Sequence, residues 1–441
     1  MTSNVLLLQG PMGPFFKRFS KDLKQAGHAV YKINFNAADS FYYKEKNTTQ
    51  YTDSIENWSK FLEQYIAQNN INSIYLFGDA RPYHLIAHKL ARTLSIDVFV
   101  FEEGYIRPNY ITLERDGVNG NSSTPQNPAA FENIEIATED NTQQVPYTFF
   151  HTAIHAIIYY TTGWLGRKHF PHYIHHRPFS PIREAAIWIK SGYRKLKYKV
   201  TERHILDRLT THHSKRFFLV PLQVHNDAQI LIWSPMSSAA SFIKKTITSF
   251  AKNAPEDNLL VIKHHPLDRG YIDYSNIINK LASRLNCKDR VIYVHDLHLP
   301  TLLENAKGTL VINSTVGLSS LLHETPVKAI GKAIYNIKGL TFQGKMQNFW
   351  LSPGEVNKTL NLQLRTHLIK NTQVNGSFYR KTTAFKCESG IDLEHLTANI
   401  FTKRRTAKVQ PINLHKTKNV VREPLPHNTP ATTQTELVSH V

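Results

Sequence analysis

Leu259-Leu260-Val261-Ile262-Lys263-His264-His265-Pro266 is a run of four aliphatic residues, preceded by Pro255, Asp257 and Asn258 and closed by a His-Pro step. Such a run reads as a short buried strand. In open α/β sheets, ligands gather outside the C-terminal ends of the strands. Pro266 stops the strand and holds the backbone of His265 extended, which fixes the imidazole at the sheet edge. Lys263 and Arg269 flank it as a cationic pair. The set is suited to hold a phosphate and to assist its departure. Alone, a His-Pro step is more often a loop histidine before a turn proline. Three further polar clusters at expected strand ends weigh against that plainer reading.

Outward from this stretch the chain alternates strand and helix. Val5 to Gln9, Ala29 to Phe35, Ile74 to Phe77 and Asp97 to Phe101 are expected strands, with helices from Phe15 to Gln25 and from about Tyr83 to Leu94. The rhythm returns with strands at Phe217 to Leu222, Val291 to Val294, Thr309 to Ile312 and Val327 to Ile330, and a helix from Ser237 to Lys252. This order predicts an α/β fold of two Rossmann-like halves facing a cleft, a GT-B-like architecture. The expected units are 1–146, a helical basic and aromatic segment 147–210, a second half 211–402 and a disordered tail 403–441. The polar stretch from Glu114 to Gln144 reads as a loop or excursion.

The chain has 441 residues, two domains' worth of length, and a formal net charge of +19. That charge calls for an anionic partner, whether nucleic acid, lipid or a small substrate. No Cys/His finger or RNA-reading aromatic signature is present, so nucleic acid is the least favoured of the three. Cys287 and Cys387 form neither a metal spacing nor a disulfide framework, which suits a reducing cytoplasm. The start, Met1 to Gln9, lacks a basic n-region and is expected to be a strand rather than a signal peptide. No apolar run reaches membrane-spanning length.

Four clusters carry candidate chemistry. Gly10-Pro11-Met12-Gly13 lies between a strand and a helix, where glycines let a ligand approach the backbone, although a tight turn explains them equally well. Glu102-Glu103-Gly104 ends a strand, and one of its carboxylates is a candidate acid or base, with Arg107 able to hold a carboxylate or phosphate. Pro221 to Asp227 offers Gln223 to orient hydroxyls and Asp227 as a nucleophile; Asp227 as a plain helix N-cap is the competing reading. Asn313-Ser314-Thr315-Val316-Gly317 is a hydroxyl-rich turn opening a helix, suited to cradle a phosphate or simply to cap.

Taken in order, these strings resemble the capsule polysaccharide biosynthesis and export family of the KpsS/LipB type. The resemblance runs through Val5 to Phe16, Ile33 to Asn36, Glu102 to Pro108, Pro221 to Val224 with Asp227, His265-Pro266, Asn313 to Gly317 and Gly339 to Thr341. It implies a retaining β-Kdo transferase that moves Kdo from CMP-β-Kdo to (lyso)phosphatidylglycerol and so starts a poly-Kdo linker. It also implies that His265, Pro266, Asn313, Ser314, Thr315 and Gly317 hold the donor with Lys263. Asp227 is then the nucleophile and Glu103 the acid/base, with His265 assisting departure. Gly10, Gly13, Glu102, Arg107, Gln223 and Arg269 are the remaining substrate contacts. Relatives often carry Glu-Asp where this chain has Glu102-Glu103. The chain has no Asp-x-Asp motif, so neither metal nor cofactor is expected, CMP-Kdo being the donor substrate.

Apolar Phe149 to Leu165, followed by Arg167, Lys168 and the Lys190 to Lys199 cluster, suits an anionic membrane surface; an ordinary insertion with a solvated basic face is the alternative. The expected location is the cytoplasmic face of the inner membrane. An anionic phospholipid acceptor, a second Kdo transferase and the export machinery are the expected partners. A non-catalytic lipid- or nucleotide-binding component of the export assembly is the competing function.

Overall fold

The structure, a computed structural model, describes residues 3–136, 142–175 and 180–395. The expected tail at 403–441 lies outside the described residues, as do the last residues of the expected second half.

Two sheets organise the chain. The first contains β1 (Asn4–Leu7), β2 (Ala29–Asn34), β3 (Thr48–Gln50), β4 (Ser73–Phe77), β5 (Asp97–Glu103) and β6 (Tyr110–Arg115). The second contains β7 (Phe217–Pro221), β8 (Leu259–Lys263), β9 (Val291–Val294), β10 (Gly308–Val311) and β11 (Val327–Ala329). A last strand, β12 (Gln373–Asn375), returns to the first sheet beside β6. The first sheet runs β12-β6-β5-β4-β1-β2-β3 and the second β11-β10-β7-β8-β9. All pairings are parallel except β5 with β6 and β6 with β12. Counted from its own first strand, each parallel sheet has the order 5-4-1-2-3. The winding therefore reverses between β1 and β4 and again between β7 and β10. Those two reversals are where a doubly wound sheet opens a crevice at its strand ends.

Parallel strands covered on both faces read as continuous apolar runs. Phe217 to Val220 and Leu260 to Ile262 are fully buried, with one cluster around Phe218, Phe242 and Trp350 on one face and another around Phe217, Val261 and Leu302 on the other. Phe15, Phe19 and Phe101 fill one face of the first sheet; Phe35, Trp58 and Ile74 fill the other. A fifth cluster joins the halves: Tyr105, Ile106 and Phe131 pack with Val311, Tyr335 and Leu364.

The expected boundary at 402 does not match the course of the chain. Residues 373–395 leave the second half, add β12 to the first sheet and pack Phe378 and Ile391 into the cluster of Phe15. The carboxylate of Asp22 accepts from the main-chain N–H of Glu388 and Ser389, at 2.7 and 2.8 Å, and fastens this return. Between the halves the chain forms three helices, Phe149–Leu165, Pro181–Thr201 and Arg203–Thr211. Among the described residues, no helix is long and apolar enough to cross a membrane.

Candidate functional site

The reversal of the second sheet is bridged by side chains. Gln223, beyond β7, donates through Nε2 to Asp227 Oδ2 at 2.9 Å and to Asn313 Oδ1 at 3.0 Å. Asn313, beyond β10, donates through Nδ2 to the carbonyl of Gln229 at 3.0 Å. Asp227 caps the helix Ala228–Trp233, its Oδ1 accepting from Gln229 N at 2.9 Å. The N-cap reading of Asp227 is therefore correct, and the same carboxylate is also oriented by Gln223. Gln229 Oε1 is buried with no hydrogen-bond partner among the described residues. Gln229 lines a cleft with Tyr105, Asn119, Asn313, Thr315 and Lys332, so both halves contribute to its walls. A buried acceptor left unmet costs about 1–3 kcal/mol.

The turn after β10 is shaped by Tyr335. Its hydroxyl donates to the carbonyl of Ser314, and its ring lies where a Cβ on Gly317 would fall, 2.2 Å from that hydroxyl. Ser314 Oγ accepts from Val316 N at 3.2 Å. Gly317 thus admits the tyrosine ring, which sets the turn that Asn313, Ser314 and Thr315 form.

At the end of β8, His265 has the extended backbone expected before Pro266 (φ −77°, ψ 129°). Its Nδ1 accepts from Leu267 N at 3.2 Å, which places the proton of the neutral ring on Nε2 as a donor. The two expected cations face elsewhere. Lys263 Nζ is buried and donates to the carbonyl of His295 at 3.1 Å, and burial lowers its pKa. Arg269 forms an ion pair with Asp296 and donates to Ser191 Oγ at 3.4 Å. Buried at the sheet edge, both charges have protein partners.

In the first half, Glu102 and Glu103 point to opposite faces of β5, as successive strand residues must. Glu103 Oε1 accepts from the hydroxyl of Tyr379 at 3.1 Å. Glu102 lies beside Gly78 and Arg81, and its pKa is pushed up to about 7 by burial, with Glu103 and Asp79 adding to the rise. Arg81 precedes the helix Pro82–Thr93 and reaches back to Gln9 Oε1 at 2.9 Å and the carbonyl of Gly10 at 3.3 Å. Gln9 in turn donates to the Tyr173 hydroxyl at 2.7 Å and to Asp39 Oδ2 at 3.3 Å. Tyr159 donates to the other oxygen of Asp39 at 3.0 Å. Arg107 is exposed and donates to the carbonyl of Gly104 at 3.0 Å within its own turn. Gly10 and Gly13 meet protein: a Cβ on Gly10 would lie 2.8 Å from the ring of Phe16, and one on Gly13 (φ +117°) 3.1 Å from His155. The tight-turn reading explains both glycines.

The first half thus carries a raised-pKa glutamate beside an arginine at its strand ends, and the second a polar network that bridges its reversal. A model of the family described as "Capsule polysaccharide biosynthesis protein" matches residues 72–379, from the start of β4 through Tyr379. The chain belongs to that family. Its relatives include the capsule polysaccharide export protein KpsS of Escherichia coli, 39% identical over 85% of this chain and 96% of the relative. The capsule polysaccharide modification protein LipB of Neisseria meningitidis serogroup A is 40% identical over 85% of this chain and 91% of its own length. The KpsS/LipB resemblance read from the motifs is thereby borne out. Among solved structures, the Thermosulfurimonas dismutans KpsC β-Kdo 2,7 transferase covers 84% of this chain and 92% of its own at a TM-score of 0.44 and 14% identity.

The sequence reading singles out neither Gln9 nor Arg81, and it does not foresee the partner of His225. Gln9 and Arg81 are joined across the first reversal. His225 shares its Nδ1 with Asp268 at 2.6 Å, while its main-chain N–H donates to the other oxygen of that carboxylate. His225 stood inside the quoted Pro221 to Asp227 string, and its pairing became visible only when β7 and β8 were set side by side. Among the described residues, no group of three or more His, Cys, Asp or Glu side chains is arranged to hold a metal ion.

Proposed function

We propose that this protein is a retaining β-Kdo transferase that takes Kdo from CMP-β-Kdo and places it on (lyso)phosphatidylglycerol, starting the poly-Kdo linker of a capsular polysaccharide. The observation that carries the reading is the bridged reversal of the second sheet. Gln223, Asp227 and Asn313 are joined there, with Gln229 Oε1 buried and unmet beside them. Membership of the capsule family supplies the polysaccharide context.

In this reading, His265 Nε2 and the main-chain N–H groups of the Asn313–Gly317 turn receive the donor phosphate and stabilise charge as it leaves. Asp227, oriented by Gln223, attacks the anomeric carbon. Retention needs two inversions, and the second needs a base for the acceptor hydroxyl. That role moves from Glu103 to Glu102, because a carboxyl with a pKa near 7 can exchange a proton at neutral pH while Glu103 is occupied by Tyr379. Arg81, rather than Arg107 or Arg269, is the cation beside this carboxylate. The reading assigns no metal or cofactor. The acceptor's lipid part places the enzyme on the inner-membrane face, beside the export machinery and a second Kdo transferase.

The test is to incubate the purified protein with CMP-Kdo generated in situ and a fluorescent phosphatidylglycerol, and to weigh the product. A lipid heavier by one Kdo residue is the expected result. Tight CMP-Kdo binding with no modified lipid would favour the non-catalytic component instead. Asp227→Asn should abolish transfer and leave CMP binding intact. Asn keeps the helix cap but sets its Nδ2 against Gln223 Nε2, so an unfolding measurement on the variant separates chemistry from folding.

A further inference from the structure

The helix Pro181–Thr201 has two faces, and each does something different. With 3.6 residues per turn, Glu184, Ile187, Ser191, Arg194 and Tyr198 fall on one side, and Glu202 continues that line beyond the helix end. Every one of them touches the loops beyond β8 and β9. The hydroxyl of Tyr271 donates to Glu184, and Ile187 lies over Gly270 so closely that a Cβ there would meet its carbonyl at 2.4 Å. Arg269 donates to Ser191, and Arg194 donates to the carbonyl of Arg269 at 2.7 Å and pairs with Asp273 at 3.3 Å. Tyr198 stacks on His295 at 3.5 Å, and Glu202 receives both the ring and the main-chain N–H of His295. The loop so gripped begins at His265-Pro266.

The opposite side carries Ile182, Ile189, Tyr193, Leu196 and Val200, each at least 65% exposed. Lys190 and Lys197 border this stripe on one flank and Lys199 on the other, all exposed. The neighbouring helix Phe149–Leu165 adds exposed Phe150, Ile154, Ile157 and Leu165. An apolar stripe flanked by lysines has the form of a helix lying in a bilayer interface: the stripe enters the acyl boundary and the lysines meet anionic headgroups.

We propose that this helix couples an anionic phospholipid bilayer to the loop of residues 264–273, so that docking of its outer stripe orders the loop held by its inner stripe. The lipid surface then acts as an activator of donor binding as well as the source of acceptor. The coupling rests on the transferase reading for its purpose, while its mechanics rest on the two stripes. A helix fixed at the interface loses freedom to move away from the loop, and a ligand that binds an already ordered loop gives up less entropy.

Hydrogen exchange of the full chain, with and without phosphatidylglycerol vesicles and without nucleotide, tests the coupling. Peptides covering 264–273 should exchange at least about tenfold more slowly on vesicles, and the effect should fade as salt rises. The double variant Ile189→Ser/Leu196→Ser should bind vesicles at least about tenfold more weakly, with the loop exchanging as in the wild type without lipid. Arg194→Ala should still bind vesicles within about twofold and lose the protection of the loop. Unchanged loop exchange on saturating vesicles would overturn the proposal. So would equal binding to neutral phosphatidylcholine at every salt concentration, or a stripe already protected without lipid by self-association or by residues 396–441. Loop protection in a protein that transfers no Kdo would leave the coupling standing and remove the transferase reading. Kdo transfer with an unprotected loop would do the reverse.

Discussion

Glu114 and Glu102 are carboxyls that the fold holds near neutrality, and they do so for different ends. Glu114 is fully enclosed, accepting from the hydroxyls of Tyr105 at 2.7 Å and Ser122 at 2.6 Å, and burial pushes its pKa up to about 7. The folded chain therefore keeps a proton that the unfolded chain releases above its ordinary value of 4.5. The resulting stability is complete below that value and is lost as the pH rises through about 7. Glu114→Gln should raise unfolding stability by ~2–3 kcal/mol at pH 8, with the gain vanishing near pH 4.5. Urea unfolding across pH would show it; a difference independent of pH would contradict the assignment. Glu102 is the acid/base of the proposed reaction. Glu102→Gln should lower kcat by about 10²–10⁴-fold and remove a group titrating near 7 from the rate profile, whereas Glu103→Gln should stay within about tenfold of wild type. A profile that keeps its neutral limb in Glu102→Gln, or a larger loss in Glu103→Gln, would return the role to Glu103.

Single elements were legible wherever an apolar run was bounded by turn residues. The helix Phe15–Gln25 and the strand Val291–Val294 have the bounds expected from the sequence. The strands missed are those lacking that signal. β3 and β12 have three residues each, mostly polar, and only their neighbours decide that they are strands. The end of β6 reads as the start of a loop because it carries Glu114 and Arg115, whose partners Tyr105, Ser122 and Asp97 only the fold supplies. The site divides in the same way. His265 and the Asn313–Gly317 turn announce themselves by local chemistry, while the partners of Lys263, Arg269 and Glu103 are chosen by residues far along the chain. Gly317, at the turn expected to cradle a phosphate, also answers to packing. Alanine there would gain helix propensity of about 1 kcal/mol but drive a methyl into Tyr335, whose hydroxyl is fixed on Ser314. Gly317→Ala should therefore lower stability by ~1–2 kcal/mol in denaturant unfolding. A stabilised variant would mean that Tyr335 moves freely.

At the scale of the molecule, one winding is used twice, and the last described residues of the chain close the first sheet. Tyr105 and Ile106, immediately beyond Glu102 and Glu103, are packed into the second half with Val311 and Tyr335. The strand end carrying the raised-pKa glutamate is therefore anchored next to the turn that follows β10. Under the proposed function, that anchoring would bring the acid/base of one sheet toward the nucleophile and phosphate site of the other, as a double displacement requires. The anomeric configuration of the product formed from CMP-β-Kdo and phosphatidylglycerol, determined by NMR, tests this most directly. A β-linked Kdo on the lipid is the predicted result; an α-linked product would show a single inversion and remove Asp227 as nucleophile, and donor left intact with the lipid unmodified would contradict the transferase reading itself.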